Sequence, residues 1–138
     1  MSSEYDMLSP AGRRLIEDAT DREDFCQYEA IAELAYEAVR AWCTIIGDEP
    51  TPPWRSLSES ARNSVIDGAR FVIEKPHTSL ADQHDNWRAA RAGDGWQYGA
   101  TLDRACKWHP NMVPFDELPW VQQVKDRLFR HVVHAILA

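Results

Sequence analysis

The stretch DFCQYEAIAELAYEAVRAWCTIIG, Asp24–Gly47, decides the fold class. Ile31, Ala35, Ala38, Trp42 and Ile45 recur at steps of three and four, which is the spacing of a single helix face. Thr20-Asp21-Arg22-Glu23 ahead of it has the spacing of a capping box, and Gly47 supplies the stop. The stretch therefore predicts a long amphipathic helix over about 24–46. Asp48-Glu49-Pro50-Thr51-Pro52-Pro53 follows as a stiff turn.

The same grammar extends along the chain. Ser58 is an N-cap for a second helix whose buried face is Val65, Ile66, Ala69, Val72 and Ile73, and Lys75-Pro76 stops it. Ser79 caps a third helix over about 80–92, with Trp87 as its largest apolar residue and Gly93 and Gly95 at its end. Pro119 suits the first position of a last helix to about Leu137, with Val121, Val124, Leu128, Val132 and Ala135 as its apolar stripe. Only short extended pieces at Trp96–Tyr98 or Met112–Val113 interrupt this pattern. The expected fold is all-α.

The chain has 138 residues, enough for one domain with its own core. Residues 1–23 read as an acidic, partly helical N-terminal segment, in which Ser9-Pro10 starts a short helix, and residues 24–138 as the domain. The net charge of −7 argues against a nucleic-acid polymer or an anionic membrane as partner. No apolar run reaches membrane-spanning length, and the first residues lack the apolar region of a signal peptide. Cys26, Cys43 and Cys106 are odd in number and form no CxxC, so they read as reduced thiols of a cytoplasmic protein. His131 and His134 share a helix face but have no carboxylate or cysteine at ligand spacing, so neither a metal nor a cofactor is expected. No nucleophile elbow, Walker loop or His-Glu-x-x-His is present, and the chain is not expected to be an enzyme.

The two halves echo each other. Pro53-Trp54-Arg55-Ser56-Leu57-Ser58 lines up with Pro114-Phe115-Asp116-Glu117-Leu118-Pro119, and Tyr36–Ala41 with His84–Ala89. Residues 24–77 and 78–138 thus read as two helix–loop–helix repeats, related by a pseudo-two-fold and packed around one core. In each, proline fixes the backbone, and the aromatic and leucine plug the core. The second half differs by its long loop, GWQYGATLDRACKWHPNMVPFDELP, Gly95–Pro119. The first half builds a hairpin without these residues, so they mark the place to look for function.

Several rare residues recur here in a known order: His84-Asp85-Asn86-Trp87, Gly95-Trp96-Gln97-Tyr98-Gly99, Asp103, Lys107-Trp108-His109-Pro110, Val113-Pro114-Phe115-Asp116-Glu117-Leu118 and Lys125-Asp126. This order resembles the RyR domain, the repeat first described in ryanodine receptors. Asn111-Met112 and Trp120–Gln123 depart from the family pattern. The first half resembles a degenerate partner repeat that lacks the Gly-Trp-x-Tyr-Gly loop. The whole chain is similar to small stand-alone RyR-domain proteins of bacteriophages and bacteria, which would place it in the host cytoplasm if phage-encoded. The resemblance implies a compact helical domain and a non-enzymatic role, with nucleotide-like ligands suggested by related domains in ion channels and bacterial sensors.

The loop chemistry agrees with such a ligand. Trp96 and Tyr98 lie two apart, so their rings share a face if the segment is extended. A tryptophan face suits a flat base, Lys107 suits a phosphate, and His109 gives or takes a hydrogen bond near neutral pH. Arg91, with Arg88 and Arg104, adds positive charge, and Asp103 is a further candidate that also suits a turn cap. The expected ligand-binding set is Trp96, Tyr98, Asp103, Lys107, His109 and Arg91. Each also has a plain structural use, and a homodimer clasping one ligand between two Trp96 rings is a further expectation. The alternative is a ligand-free protein–protein interaction module, whose loop aromatics serve as interface anchors.

Overall fold

The computed structural model describes residues 28–48 and 51–137. The capping box expected at 20–23, the helix start at Ser9-Pro10 and the Cys26 thiol lie outside these residues. The fold is all-α. Among the described residues, four helices, α1 (Glu29–Ile46), α2 (Glu59–Glu74), α3 (Leu80–Gly93) and α4 (Trp120–Leu137), carry one two-stranded ribbon, β1 (Gln97–Tyr98) and β2 (Trp108–His109), between α3 and α4. α1 packs most extensively on α4, and α2 lies against α1, α3 and α4. No helix among the described residues is long and apolar enough to cross a membrane.

The helix ends follow local chemistry. Ser58 Oγ accepts from Ala61 N–H at 3.1 Å at the start of α2. Ser79 and Asp82 form a reciprocal capping box at the start of α3, with both bonds at 3.0 Å. α1 begins at Glu29 with Tyr28 in a turn ahead of it, and the predicted start near Asp24 lies outside the described residues. Pro119 opens α4 one position earlier than predicted, as the residue just before Trp120 whose carbonyl accepts from Gln122 and Gln123 N–H.

The core joins Ile31 and Ala35 of α1, Trp54, Ile66, Ala69, Val72 and Ile73 of the first half, and Val133 of α4. The α2 face is as the sequence predicts, Val65 being half-buried at its rim. Two other faces are corrected. Ile45 is 74% exposed, because that end of α1 meets α4 through its other residues, Trp42 leaning on Trp120 and donating to Val121 O. In α4 Val133 is the fully buried residue, with Phe129, Val132 and Ile136 beside it, while Ala135 is exposed. Val132-Val133 are adjacent, so the stripe has two equally periodic readings, and packing selects the second.

The two halves use the same local devices. Pro53 (φ −62°, ψ 154°) and Pro114 (φ −56°, ψ 150°) each lead into a 3-10 turn, Trp54–Ser56 and Phe115–Glu117. Tyr36 Oη donates to the carbonyl before Pro53, Pro52 O, at 2.6 Å. His84 Nε2 bonds the carbonyl before Pro114, Val113 O, at 2.8 Å. Tyr36 then meets Trp54 edge-on at 5.7 Å, and His84 meets Phe115 at 6.1 Å. Each first helix also ends alike. Gly47 and Gly95 take positive φ, and the residue after each bonds back to the carbonyl five earlier, Asp48 to Cys43 and Trp96 to Arg91, both at 3.0 Å.

Candidate functional site

The helix end just described sets Trp96. The chain leaves α3 through Gly95 (φ 90°), and the Trp96 N–H closes on Arg91 O, so the indole emerges one turn from the Arg91 side chain. β1 then pairs in parallel with β2, Gln97 opposite Trp108 and Tyr98 opposite His109. Gln97 N–H donates to Lys107 O at 3.0 Å, and Asp103 and Trp108 exchange backbone bonds at 3.0 and 2.9 Å. Gly99 has to be glycine here, because a built Cβ would overlap Trp108 Cβ and sit 2.8 Å from its Cγ. Gly99→Ala should cost about 1–3 kcal/mol by overpacking, read as a lower denaturant midpoint with an unchanged slope.

Around His109 the aromatic residues form a chain. Trp96 meets the His109 ring edge-on at 6.1 Å, and Trp87 does so at 5.2 Å. Trp87 stacks on His84 at 5.5 Å, and the Arg91 guanidinium lies 5.8 Å from the Trp87 ring centre. Tyr98, 58% exposed, flanks this group. These rings are separate from the main core, which lies among α1, α2 and the end of α4.

A polar network holds His109 from below. Its Nδ1 accepts from Asn111 N–H at 3.0 Å. Asn111 Nδ2 donates to Gln122 Oε1 at 2.9 Å, Gln122 Nε2 donates to Asp48 Oδ2 at 3.1 Å, and Lys125 Nζ meets the same oxygen at 2.6 Å. Burial and then the charges of Lys125, Arg91 and Arg104 push the His109 pKa down to about 4. Burial also lowers the Arg91 pKa, which the Asp94 carboxylate only partly opposes. Burial would raise the Asp48 carboxyl, but its bonds to Lys125 and Gln122 outweigh that and hold it below the ordinary value.

The residues singled out from sequence divide into two groups. Trp96, His109, Arg91 and the flanking Tyr98 come together. Asp103 and Lys107 are engaged in shaping the loop. Asp103 Oδ1 accepts from Cys106 N–H at 2.9 Å, and Lys107 Nζ donates to Asp94 O at 2.5 Å, across the end of α3. Lys107 adopts a left-handed backbone (φ 58°), and its tether to Asp94 runs beside Gly95. Trp87, read from sequence as a core residue, is half-buried and touches both His109 and Arg91. The signal was the four-residue step from Trp87 to Arg91, which puts them on one helix face. Asn111, Gln122 and Asp48 had no local signal, because Gln122 and Asp48 are 74 residues apart.

Elsewhere, a shallow groove between α2 and α3 carries Glu59, Asp67 and Asp94, a charge that repels an anion. Among the described residues no group of three or more His, Cys, Asp or Glu is placed to hold a metal ion.

The RyR domain family model matches residues 72–138, which take in the end of α2, α3, the ribbon and α4. No curated protein matches the chain. The matched segment contains every residue of the aromatic chain around His109, and only Asp48 of its supporting network lies outside. Residues 72–138 of this chain are thus identified as a RyR domain.

Proposed function

We propose that the protein is a non-enzymatic binding module for a small nucleotide-like ligand, which it senses or sequesters in the cytoplasm. One observation carries this reading. In a chain of net charge −7, Arg91, Arg104 and Lys125 act together on His109, which sits between Trp87 and Trp96. Flat aromatic surface beside concentrated positive charge matches a base with an attached phosphate. The family resemblance supports a ligand-binding role, and fold alone does not name the ligand.

A second reading is favoured by the exposure of Tyr98 and Trp108 on neighbouring strands, which suits a protein interface, including one with a second copy of the chain. Thermal shift against linear nucleotides, cyclic nucleotides and ADP-ribose derivatives separates the two. Free ligand at a hundred times Kd should stabilise the fold by about 2.7 kcal/mol. Trp96→Ala and the milder Tyr98→Ala should each reduce the shift while remaining folded. A flat response to the whole panel, with self-association that Trp108→Ser abolishes, would replace this reading with the interface.

A further inference from the structure

Two side chains at this site are left with donors to spare. His109 Nδ1 is occupied as an acceptor by Asn111 N–H, so the ring proton of the neutral imidazole belongs on Nε2. Nε2 has no hydrogen-bond partner among the described residues, yet it is not one of the atoms sealed from solvent without a partner, which are Glu37 Oε2, Thr51 Oγ1, Arg88 Nε and His134 Nε2. The Arg91 guanidinium is in the same position. It makes no hydrogen bond or ion pair among the described residues, and its nitrogens are not sealed either. Of the other cations nearby, Lys125 is committed to Asp48, Lys107 to the Asp94 carbonyl and Arg88 to Asp85.

These two open donors share a support. Trp87 carries Arg91 near its ring at 5.8 Å and His109 against it at 5.2 Å. An arginine fork and an imidazole N–H on one indole, beside Trp96, have the chemistry of an oxyanion site. We infer that Arg91 and His109 form the anion subsite of this module, gripping a phosphate or pyrophosphate group, with His109 acting as a neutral Nε2–H donor and Trp96 facing the attached ring. This rests on the ligand-binding reading above and assigns the phosphate role to Arg91 in place of Lys107.

The test is NMR on the full chain with inorganic pyrophosphate and, separately, adenosine as probes. Before any addition, the His109 side chain should show the Nε2–H tautomer at neutral pH, with Nδ1 unprotonated. Pyrophosphate should shift the His109 Nε2 and Arg91 Nε signals together. Arg91→Gln should weaken that binding about tenfold or more, as loss of a charge-assisted bond requires, while Arg91→Lys should restore part of it. Arg55→Gln, at an exposed arginine of the first half, should leave the affinity within about twofold. The opposite tautomer, or pyrophosphate shifts that bypass Arg91 and His109, would overturn the assignment. Adenosine shifting the Trp96 indole while pyrophosphate shifts nothing would also overturn the subsite, yet leave the ligand-binding module standing. Pyrophosphate binding at Arg91 without any adenosine response would support the subsite and remove the ring half of the proposed ligand.

Discussion

Trp54→Ala should remove about 3–5 kcal/mol of stability, the usual cost of emptying a buried indole site. Trp54 is 6% exposed and lies in the main core. It enters from a 3-10 turn fixed by Pro53, and Tyr36 packs on it edge-on while tethering its hydroxyl to Pro52 O. The turn cannot collapse into the hole, because Pro53 fixes its backbone and Arg40 Nε pins Thr51 O at 3.0 Å. For a domain of this size the melting temperature should fall by roughly 10–20 °C. Trp54→Phe keeps most of the volume and should cost less than half as much. Calorimetry checks both, and an alanine variant within about 1 kcal/mol of the parent would contradict the role given to this turn.

The second large effect is acid lability. The folded His109 pKa, about 4, lies below the ordinary value of 6.5 because the ring is buried and faces Lys125, Arg91 and Arg104. Between these two values the unfolded chain binds a proton that the folded chain refuses. Stability is therefore full above pH 6.5 and falls as the pH drops towards 4, by about 1–2 kcal/mol once solvent screening of the half-buried ring is allowed for. His134, lowered by burial and by Arg130, His131 and His77, acts in the same direction. His84 acts in the opposite one. Burial opposes its charge, but the bonds to Asp126 and to the Val113 carbonyl win, so its pKa is raised. Its contribution is present below pH 6.5 and is lost as the pH rises through the folded value. Urea titrations from pH 4 to 9 should therefore show a maximum near neutrality. His109→Gln should flatten the acid limb, and His84→Gln the alkaline one. An unchanged acid slope in His109→Gln would place the proton uptake elsewhere.

Most of the scaffold was legible because its rules are local. Ser58, Ser79, Gly47 and Gly95 announce helix ends through caps that involve residues within five positions. The β1–β2 ribbon was half legible. The Gly-bounded Trp96–Tyr98 segment reads as extended and supplies β1, but the second strand is Trp108–His109, and Met112–Val113 is not a strand. Two-residue strands show no periodicity, and this pairing depends on the Asp103 turn and the Lys107 tether. At the site, residue type pointed to Trp96, His109 and Arg91. It gave no sign that the Lys107 ammonium turns back to the Asp94 carbonyl at the end of α3. The contacts across α3 and α4 were equally silent. Gln83 donates to Asp126 O at 2.9 Å, and Arg130 reaches Gln83, Thr78 and Ser79. Such partners, 43 or more residues apart, emerge only once the helices pack.

The loop from Gly95 to Asn111 closes on itself at each step, through Gly95 on Ala92, Gln97 on Lys107, Asp103 on Trp108, and Asn111 on His109. The entropy of ordering this segment is thus lost when the chain folds, not when something settles on the loop. On the binding reading proposed above, a visiting molecule would therefore meet a face that is already built, with little ordering left for it to impose.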